Sequence, residues 1–527
     1  MRRYPLTARA LPLLCMALLC PVSRAGGSPC SEDIPFRVVF PGRAHAVFSP
    51  AERIRCSVRF PAPSGMSRGL ILRYRVTDFY GKETVSSRRA DIAVNDGTAG
   101  ADIVVDSLPL GWYQVTLEVF DGLKKMNLVN ASVPGCRPWF TFMVISAAGN
   151  SSSGGAFGIN EHFLDERVAH FMRLMGIRWL RTGVLWQFIE YRPNEFDWSR
   201  MDNIMALAKE HDLEVLPVVA YSPCWASRGS GTVETPQCSY SAPRKRYYGR
   251  FLEKLISRYR DNVLFWEIWN EPNAYFWVSS EEEYAALLRH SADLIRKLDE
   301  DCGILMGGVS GTSPEWIRML QEKAGGSFDI YNIHPYFYPR EPEDKLQVDL
   351  NDFWGVASKA ADKTVWITEM GIPTNTASIQ DQARQLVRSM VMVLSAGVSR
   401  CFWYELKDAA CDEEDKEANF GLLFSDFSPK PAFVAFTTLS RVLSHAKFER
   451  RLPIPSSTVY GYLFRKQKES IIVLWITRER ENIRLNNVEG PITITDIMGN
   501  EQVLDVSVGA IRLELTNNPS YLQFSDG

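Results

Sequence analysis

The stretch FWEIWNEPN, residues 265–273, changes character halfway along. Phe265, Trp266, Ile268 and Trp269 read as a buried strand of large apolar residues, and Pro272, which has no N–H to give a ladder, stops it. Asn270 and Glu271 stand at the end of that strand. A carboxylate in such a place is costly unless something answers it. The stretch therefore asks what kind of sheet it belongs to, and where its partner lies.

Residues 157–445 repeat the pattern outward from it, short apolar runs alternating with helical periods. The runs are FGIN (157–160), RWLRTGV (178–184), EVLPVVAY (214–221), LFWEIWN (264–270), GILMGGV (303–309), FDIYNIH (328–334), VWITE (365–369) and CFWYEL (401–406). Between them lie amphipathic stretches such as MDNIMALAKEHDL (201–213) and EEEYAALLRHSADLIRKLDE (281–300). Eight strand–helix units in this span predict a (β/α)8 TIM barrel. An open doubly wound sheet is disfavoured, because no glycine-rich phosphate turn follows the first run.

The flanks read as all-β. In residues 30–146, LILRYRVTDFYG (70–81) and GWYQVTLEVFDG (111–122) alternate and end in turn residues, which predicts an immunoglobulin-like β-sandwich. A small, polar linker follows at 147–156. Residues 446–527 carry further alternating runs, SIIVLWIT (470–477) and IRLELT (511–516) among them, and predict a small C-terminal β-sandwich.

Net charge is −3 over 527 residues, so no basic field points to nucleic acid or an anionic membrane. Arg2 and Arg3 precede the apolar run ALPLLCMALLC (10–20), and Ser23 and Ala25 give a small-x-small cleavage pattern. This predicts a signal peptide over residues 1–25 and an exported protein, periplasmic or extracellular, with no stable membrane span. Eight cysteines remain beyond the leader. Cys224 with Cys238, and Cys401 with Cys411, are close enough to staple single loops, and Cys136 could meet Cys30 or Cys56. The seven His are scattered and no H-E-x-x-H occurs, so neither a metal nor a cofactor is expected.

Barrel enzymes carry their chemistry at the C-terminal ends of the strands. Glu271 ends the fourth predicted strand and Glu369, in VWITEMG, ends the seventh. Strand alternation groups Glu267, Trp269 and Glu271 on one face and Val365, Ile367 and Glu369 on another. If both faces look at the barrel axis, Glu271 and Glu369 converge at one mouth. Two converging carboxylates suit glycoside hydrolysis, one as the protonated acid and the other as the ionised nucleophile or base. The Asn270 amide is placed to bond a sugar hydroxyl.

W-N-E-P at a fourth strand end, with a Glu closing a seventh, resembles the retaining glycoside hydrolases of clan A, and families 39 and 5 in particular. YSPCWAS after the third strand and NFGLL…PKPAF after the eighth support that resemblance. It implies Glu271 as acid/base, Glu369 as nucleophile, and carboxyl groups about 5–5.5 Å apart. It further implies Arg181 at the second strand end near the nucleophile, and His334 and Tyr336 at the sixth touching it. Trp403 at the eighth would be an aromatic floor under the sugar. The chain departs from many family 5 members after the third strand, where Tyr221-Ser222-Pro223 stands in place of a His, and this weakens a family 5 assignment and any cellulase reading.

Other polar and aromatic residues have plainer readings. Glu267 is expected to be structural, paired with Arg178 or Arg181. Trp186, Trp225 and Trp277 suit subsite walls or loop packing equally, Glu405 suits either role, and the acidic run 408–417 reads as a solvated loop. The chain is thus expected to be a three-domain glycosidase acting on oligo- or polysaccharides. A catalytically silent carbohydrate-binding barrel and a transglycosylase using the same residues are the alternatives.

Overall fold

The computed structural model describes residues 33–62, 69–130, 137–146, 155–229, 238–358, 363–478, 480–486, 490–506 and 509–525. The expected leader at 1–25, Cys30, Cys136 and most of the expected linker lie outside them.

Eight parallel strands close into a barrel: β1 (Phe157–Asn160), β2 (Trp179–Leu185), β3 (Glu214–Ala220), β4 (Phe265–Asn270), β5 (Gly303–Ser310), β6 (Ile330–His334), β7 (Thr364–Met370) and β8 (Arg400–Trp403). Each corresponds to one of the eight apolar runs. A helix follows each strand: α1 (Glu166–Met175), α2 (Ser199–Glu210), α3 (Lys245–Tyr259), α4 (Glu281–Leu298), α5 (Pro314–Ala324), α6 (Pro342–Ala357), α7 (Ile379–Ser395) and α8 (Pro431–Leu443). Local chemistry explains their starts. Ser280 and Glu283 form a reciprocal capping box at α4, which also carries Glu281–Glu283 in its first turn and Arg296 and Lys297 in its last. Pro occupies the first turn of α5, α6 and α8, where its missing N–H costs nothing.

The barrel interior is layered. Trp179, Leu216, Leu305, Ile330, Trp366 and Phe402 form an apolar floor. Above it the inward positions turn polar and buried: Arg181, Glu267, Asn332 and Thr368. On β7 the inward residue is therefore Trp366, while Val365 and Ile367 belong to the large core shared with the helices. Val365 and Ile367 thus face away from the barrel axis, opposite to the phase expected for β7. Glu369 still reaches the mouth because the β7–β8 register breaks between Ile367 and Met370, and a register break re-aims the side chains beyond it.

β4 breaks its alternation by another route. Glu267 points inward, but Trp269 packs outward against Trp277 and Tyr221, at ring distances of 5.0 and 5.4 Å. Trp269 and Glu271 both adopt left-handed backbone, with φ of 74° and 42°. For residues other than glycine such backbone costs of order 1–3 kcal/mol each and persists only where the surroundings hold it. The Trp269 indole N–H donates to the Phe276 carbonyl at 2.8 Å, and the Glu271 N–H to the Gly308 carbonyl at 2.9 Å. The strained corner turns Asn270 and Glu271 into the mouth.

The N-terminal region is a sandwich of a seven-stranded and a four-stranded sheet over a shared core that includes Val58, Leu72, Val76 and Val119. The C-terminal region pairs a six-stranded sheet with a two-stranded one, Arg480–Asn486 against Ala510–Thr516. It docks on the barrel through the Trp475 indole N–H, which donates to Glu343 of α6 at 2.6 Å. No helix among the described residues is long and apolar enough to cross a membrane.

Cys224 and Cys238 form a disulfide that staples the segment after β3. The pairing of Cys401 with Cys411 does not form, since Cys401 is a free thiol buried in β8. Cys56 is likewise free and buried in the sandwich core, so it is not bridged to Cys136.

Candidate active site

Arg181 lies three residues into β2 rather than at its end, and its long side chain climbs the barrel axis. Nε and Nη2 donate to the two Glu267 oxygens at 2.7 and 2.8 Å, a bidentate fork. Nη1 donates to Asn160 Oδ1 at 3.0 Å and to Glu369 Oε1 at 2.5 Å, and Nη2 also donates to Asn270 Oδ1 at 2.8 Å. Glu267 is completely buried and also accepts from the Gly308 N–H at 3.2 Å. Of the two expected partners of Glu267 it is Arg181 that pairs, while Arg178 pairs with Asp212.

This fork fixes the side chains above it. With Asn270 Oδ1 occupied by Arg181, the amide Nδ2, which also bonds the Tyr221 hydroxyl, has its second N–H for a ligand. Glu369 receives Arg181 on Oε1 and the Tyr336 hydroxyl on Oε2 at 3.1 Å. Burial alone would raise the Glu369 carboxyl. The His334 and Arg181 charges and these two hydrogen bonds outweigh it, and the carboxyl is held below its usual range.

His334, fully buried at the end of β6, lies between the two acids. Its Nδ1 is 3.0 Å from Glu271 Oε1 and 3.6 Å from Glu369 Oε2, and its Nε2 is 2.9 Å from Thr368 Oγ1. The Thr368 hydroxyl donates to Glu267 at 3.5 Å, so it accepts from Nε2–H. In the neutral ring Nδ1 accepts from a protonated Glu271, whereas in the charged ring, the form that lowers Glu369, both nitrogens donate. Gly308 makes room for the ring, because a Cβ there would come within 2.0 Å of Nε2.

An oxygen of Glu271, an oxygen of Glu369 and a ring nitrogen of His334 lie within 4.8 Å of one another, with each acid side chain 13% exposed. This trio has the residue types of a metal site. Glu369 is already engaged by Arg181 and Tyr336, and His334 by Thr368. An arginine 2.5 Å from one prospective ligand oxygen opposes a second cation by charge repulsion.

Glu271, Glu369, Asn270, Arg181, His334 and Tyr336 are thus brought together. Trp403 is not. It has no exposed surface and belongs to the helix-facing core, because alternation along β8 sends Phe402 inward and Trp403 outward. The next residue takes its place: the Tyr404 ring lies 5.4 Å from Phe420 and 6.4 Å from His162. Trp186 and Trp277 are loop packing, their indole N–H groups donating to Glu190 and to the Ser280 carbonyl. The acidic run is only partly a solvated loop, since Asp408 is buried on Lys430 at 2.8 Å.

Sequence reasoning passed over the β1 end. Asn160, Glu161 and His162 repeat there the Asn-Glu pattern of β4, and that repetition was the available signal. His162 Nε2 lies 3.8 Å from Glu405 Oε2, too far for a hydrogen bond, with the imidazole open to the mouth. Glu405 Oε1 and Glu161 Oε2 are buried without a partner among the described residues. Burial pushes the Glu161 carboxyl up to about 7 against the opposing Lys407 charge. Burial, and then the Glu161 and Asp408 charges, push Glu405 well above the usual range.

The sequence model of the family "Cellulase (glycosyl hydrolase family 5)" matches residues 145–408. A β-xylosidase of Caldicellulosiruptor saccharolyticus is 23% identical over 358 residues, covering 62% of this chain and 71% of that protein. Among solved structures, a family 39 glycoside hydrolase from the gut symbiont Bacteroides cellulosilyticus WH2 superposes with a TM-score of 0.72 at 21% identity, over 92% of this chain and 99% of the other. A family 30 endoxylanase from Clostridium papyrosolvens C71 gives 0.55 at 13% identity, over 72% and 98%. These structural likenesses show the shared fold.

Proposed function

The chain belongs to the cellulase family of glycosyl hydrolases, family 5, and on that premise we propose that it hydrolyses O-glycosidic bonds with retention, Glu369 acting as nucleophile and Glu271 as acid/base. The observation that carries the assignment is the asymmetry of the two acids. Glu369 is fixed by a guanidinium and a phenol, whereas Glu271 bonds to the imidazole of His334. A carboxylate held ionised is the nucleophile, and the carboxyl able to keep a proton is the acid.

In the first step a Glu369 oxygen attacks the anomeric carbon as the bond from that carbon to the leaving oxygen breaks. The leaving oxygen takes the Glu271 proton. In the second step Glu271 takes a proton from water, the water oxygen bonds to the anomeric carbon, and the Glu369 ester is released. Asn270 Nδ2 donates to the 2-hydroxyl, a contact that strengthens in the transition state. Tyr221 replaces the His expected in family 5, and one matched relative is a β-xylosidase, so xylosides come before cellulose as first substrates. The leader-like segment at 1–25 and the Cys224–Cys238 disulfide support action outside the cytoplasm.

The test is a panel of 2,4-dinitrophenyl glycosides of xylose, glucose, mannose, galactose, fucose and arabinose, with the anomer first formed read by proton NMR. Turnover of one sugar with retained configuration is expected. First-formed product of inverted configuration would overturn the double displacement, and turnover that survives in both Glu271→Ala and Glu369→Ala would overturn the residue assignment.

A further inference from the structure

Trp112 and Thr141 lie on two neighbouring strands of the N-terminal sandwich, Gly111–Asp121 and Trp139–Val144. The Trp112 indole N–H and the Thr141 hydroxyl both donate to one barrel atom, the Pro429 carbonyl, each at 2.8 Å, and both side chains are buried. The next residue, Lys430, is fully buried just before α8. Its ammonium donates to Asp408 at 2.8 Å, to the Thr374 hydroxyl at 2.9 Å and to the Asn419 carbonyl at 3.4 Å.

Those three contacts join the loop after β7 to the loop after β8. Thr374 follows Glu369 by five residues, and Asp408 follows Glu405 by three. Asn419 precedes Phe420, whose ring lies 6.0 Å from Tyr336 and 5.4 Å from Tyr404. Tyr336 in turn donates to Glu369. A continuous path of hydrogen bonds and ring contacts therefore runs from the sandwich to the nucleophile. The surface it uses on the sandwich is sealed against the barrel, so Trp112 is no platform for a polysaccharide.

We propose that the N-terminal sandwich positions the nucleophile's wall of the mouth, with Trp112, Thr141 and Lys430 as positioning residues acting through Pro429, Phe420 and Tyr336. The inference rests on the reading of Glu369 as nucleophile. Releasing the Pro429 carbonyl loosens the segment that carries Lys430 and lets Phe420 and Tyr336 drift. Glu369 then loses a hydrogen bond that keeps it ionised.

The experiment compares pH profiles of kcat/KM, well below the unfolding midpoint, for the full chain and for Thr141→Val, Trp112→Phe, their double variant, Lys430→Met and Thr141→Ser. The double variant is expected to lose about tenfold in kcat/KM, mostly in kcat, and to move the acid limb up by roughly half a pH unit or more. Lys430→Met is expected to do the same, and Thr141→Ser, which keeps the hydroxyl, to match the wild type. Wild-type kcat/KM and an unmoved limb in the double variant overturn the proposal, whether or not its unfolding midpoint falls. That comparison decides the case even if Lys430→Met does not fold. Glu369→Ala run alongside separates the two readings: if it keeps turnover, the nucleophile assignment fails, and if it loses turnover while the double variant matches wild type, only the positioning role fails.

Discussion

Replacing Arg181 with Met separates the structural from the chemical use of one guanidinium. The substitution removes both charged hydrogen bonds to Glu267, which has no exposed surface and keeps, among the described residues, the Gly308 N–H at 3.2 Å and the Thr368 hydroxyl at 3.5 Å. Breaking one side of a buried ion pair costs about 3–5 kcal/mol, because the remaining charge is stranded. It also removes the cation 2.5 Å from Glu369. Burial already pushes that carboxyl up, with the His334 and Arg181 charges opposing, so losing Arg181 raises it. An adjacent opposite charge moves a carboxyl by about 1–3 pH units. The acid limb of kcat/KM therefore moves to higher pH by about that amount. Adding Glu267→Gln neutralises the stranded charge and restores most of the stability, yet does nothing for Glu369. Urea unfolding followed by fluorescence, with pH profiles on a dinitrophenyl glycoside, reads both effects. If the double variant regains the wild-type acid limb together with its stability, Arg181 is only the structural partner of Glu267 and the account of Glu369 is wrong.

Gly308→Ala puts a Cβ against the His334 ring, so it is expected to cut kcat/KM by tenfold or more while pairing along β5 survives, and unchanged kinetics would show that His334 is not confined there. Burial pushes the Glu161 carboxyl above its ordinary 4.5, toward about 7, so the folded state binds more protons than the unfolded one across that window. Stability from this group is fully present below about 4.5 and is lost as pH rises toward 7, and Glu161→Gln should flatten that part of the unfolding-versus-pH curve. Replacing Cys224 and Cys238 with Ser opens a loop with a sequence separation of 14 and should cost up to about 3 kcal/mol, seen as a lower urea midpoint than in the oxidised parent.

The barrel was legible because eight apolar runs with helical periods between them have few other ways to bury their faces, and every run became a strand. Glu271 and Glu369 were legible as polar residues closing buried strands. The route by which they arrive was not, since alternation assumes regular backbone. β4 reaches the mouth through left-handed Trp269 and Glu271, and β7 through a register break. The aromatic residue after β8 was carried over from the family resemblance as Trp403, but alternation along β8 turns that side chain into the helix-facing core and leaves Tyr404 next in line. Arg181 was expected near the nucleophile and as one of two candidate partners of Glu267, and it makes four partners, because a side chain that spans layers of a barrel meets residues that no sequence spacing groups together. Asn160, Glu161 and His162 were missed although the β1 end repeats the motif that drew attention to β4.

The most direct test of the account is to trap the glycosyl-enzyme with a 2-deoxy-2-fluoro glycoside of the sugar that turns over, digest it, and locate the adduct by mass spectrometry. The account predicts one covalently bound sugar, on the peptide carrying Glu369. An adduct on Glu271 or Glu405, or turnover with no covalent species formed, would contradict it.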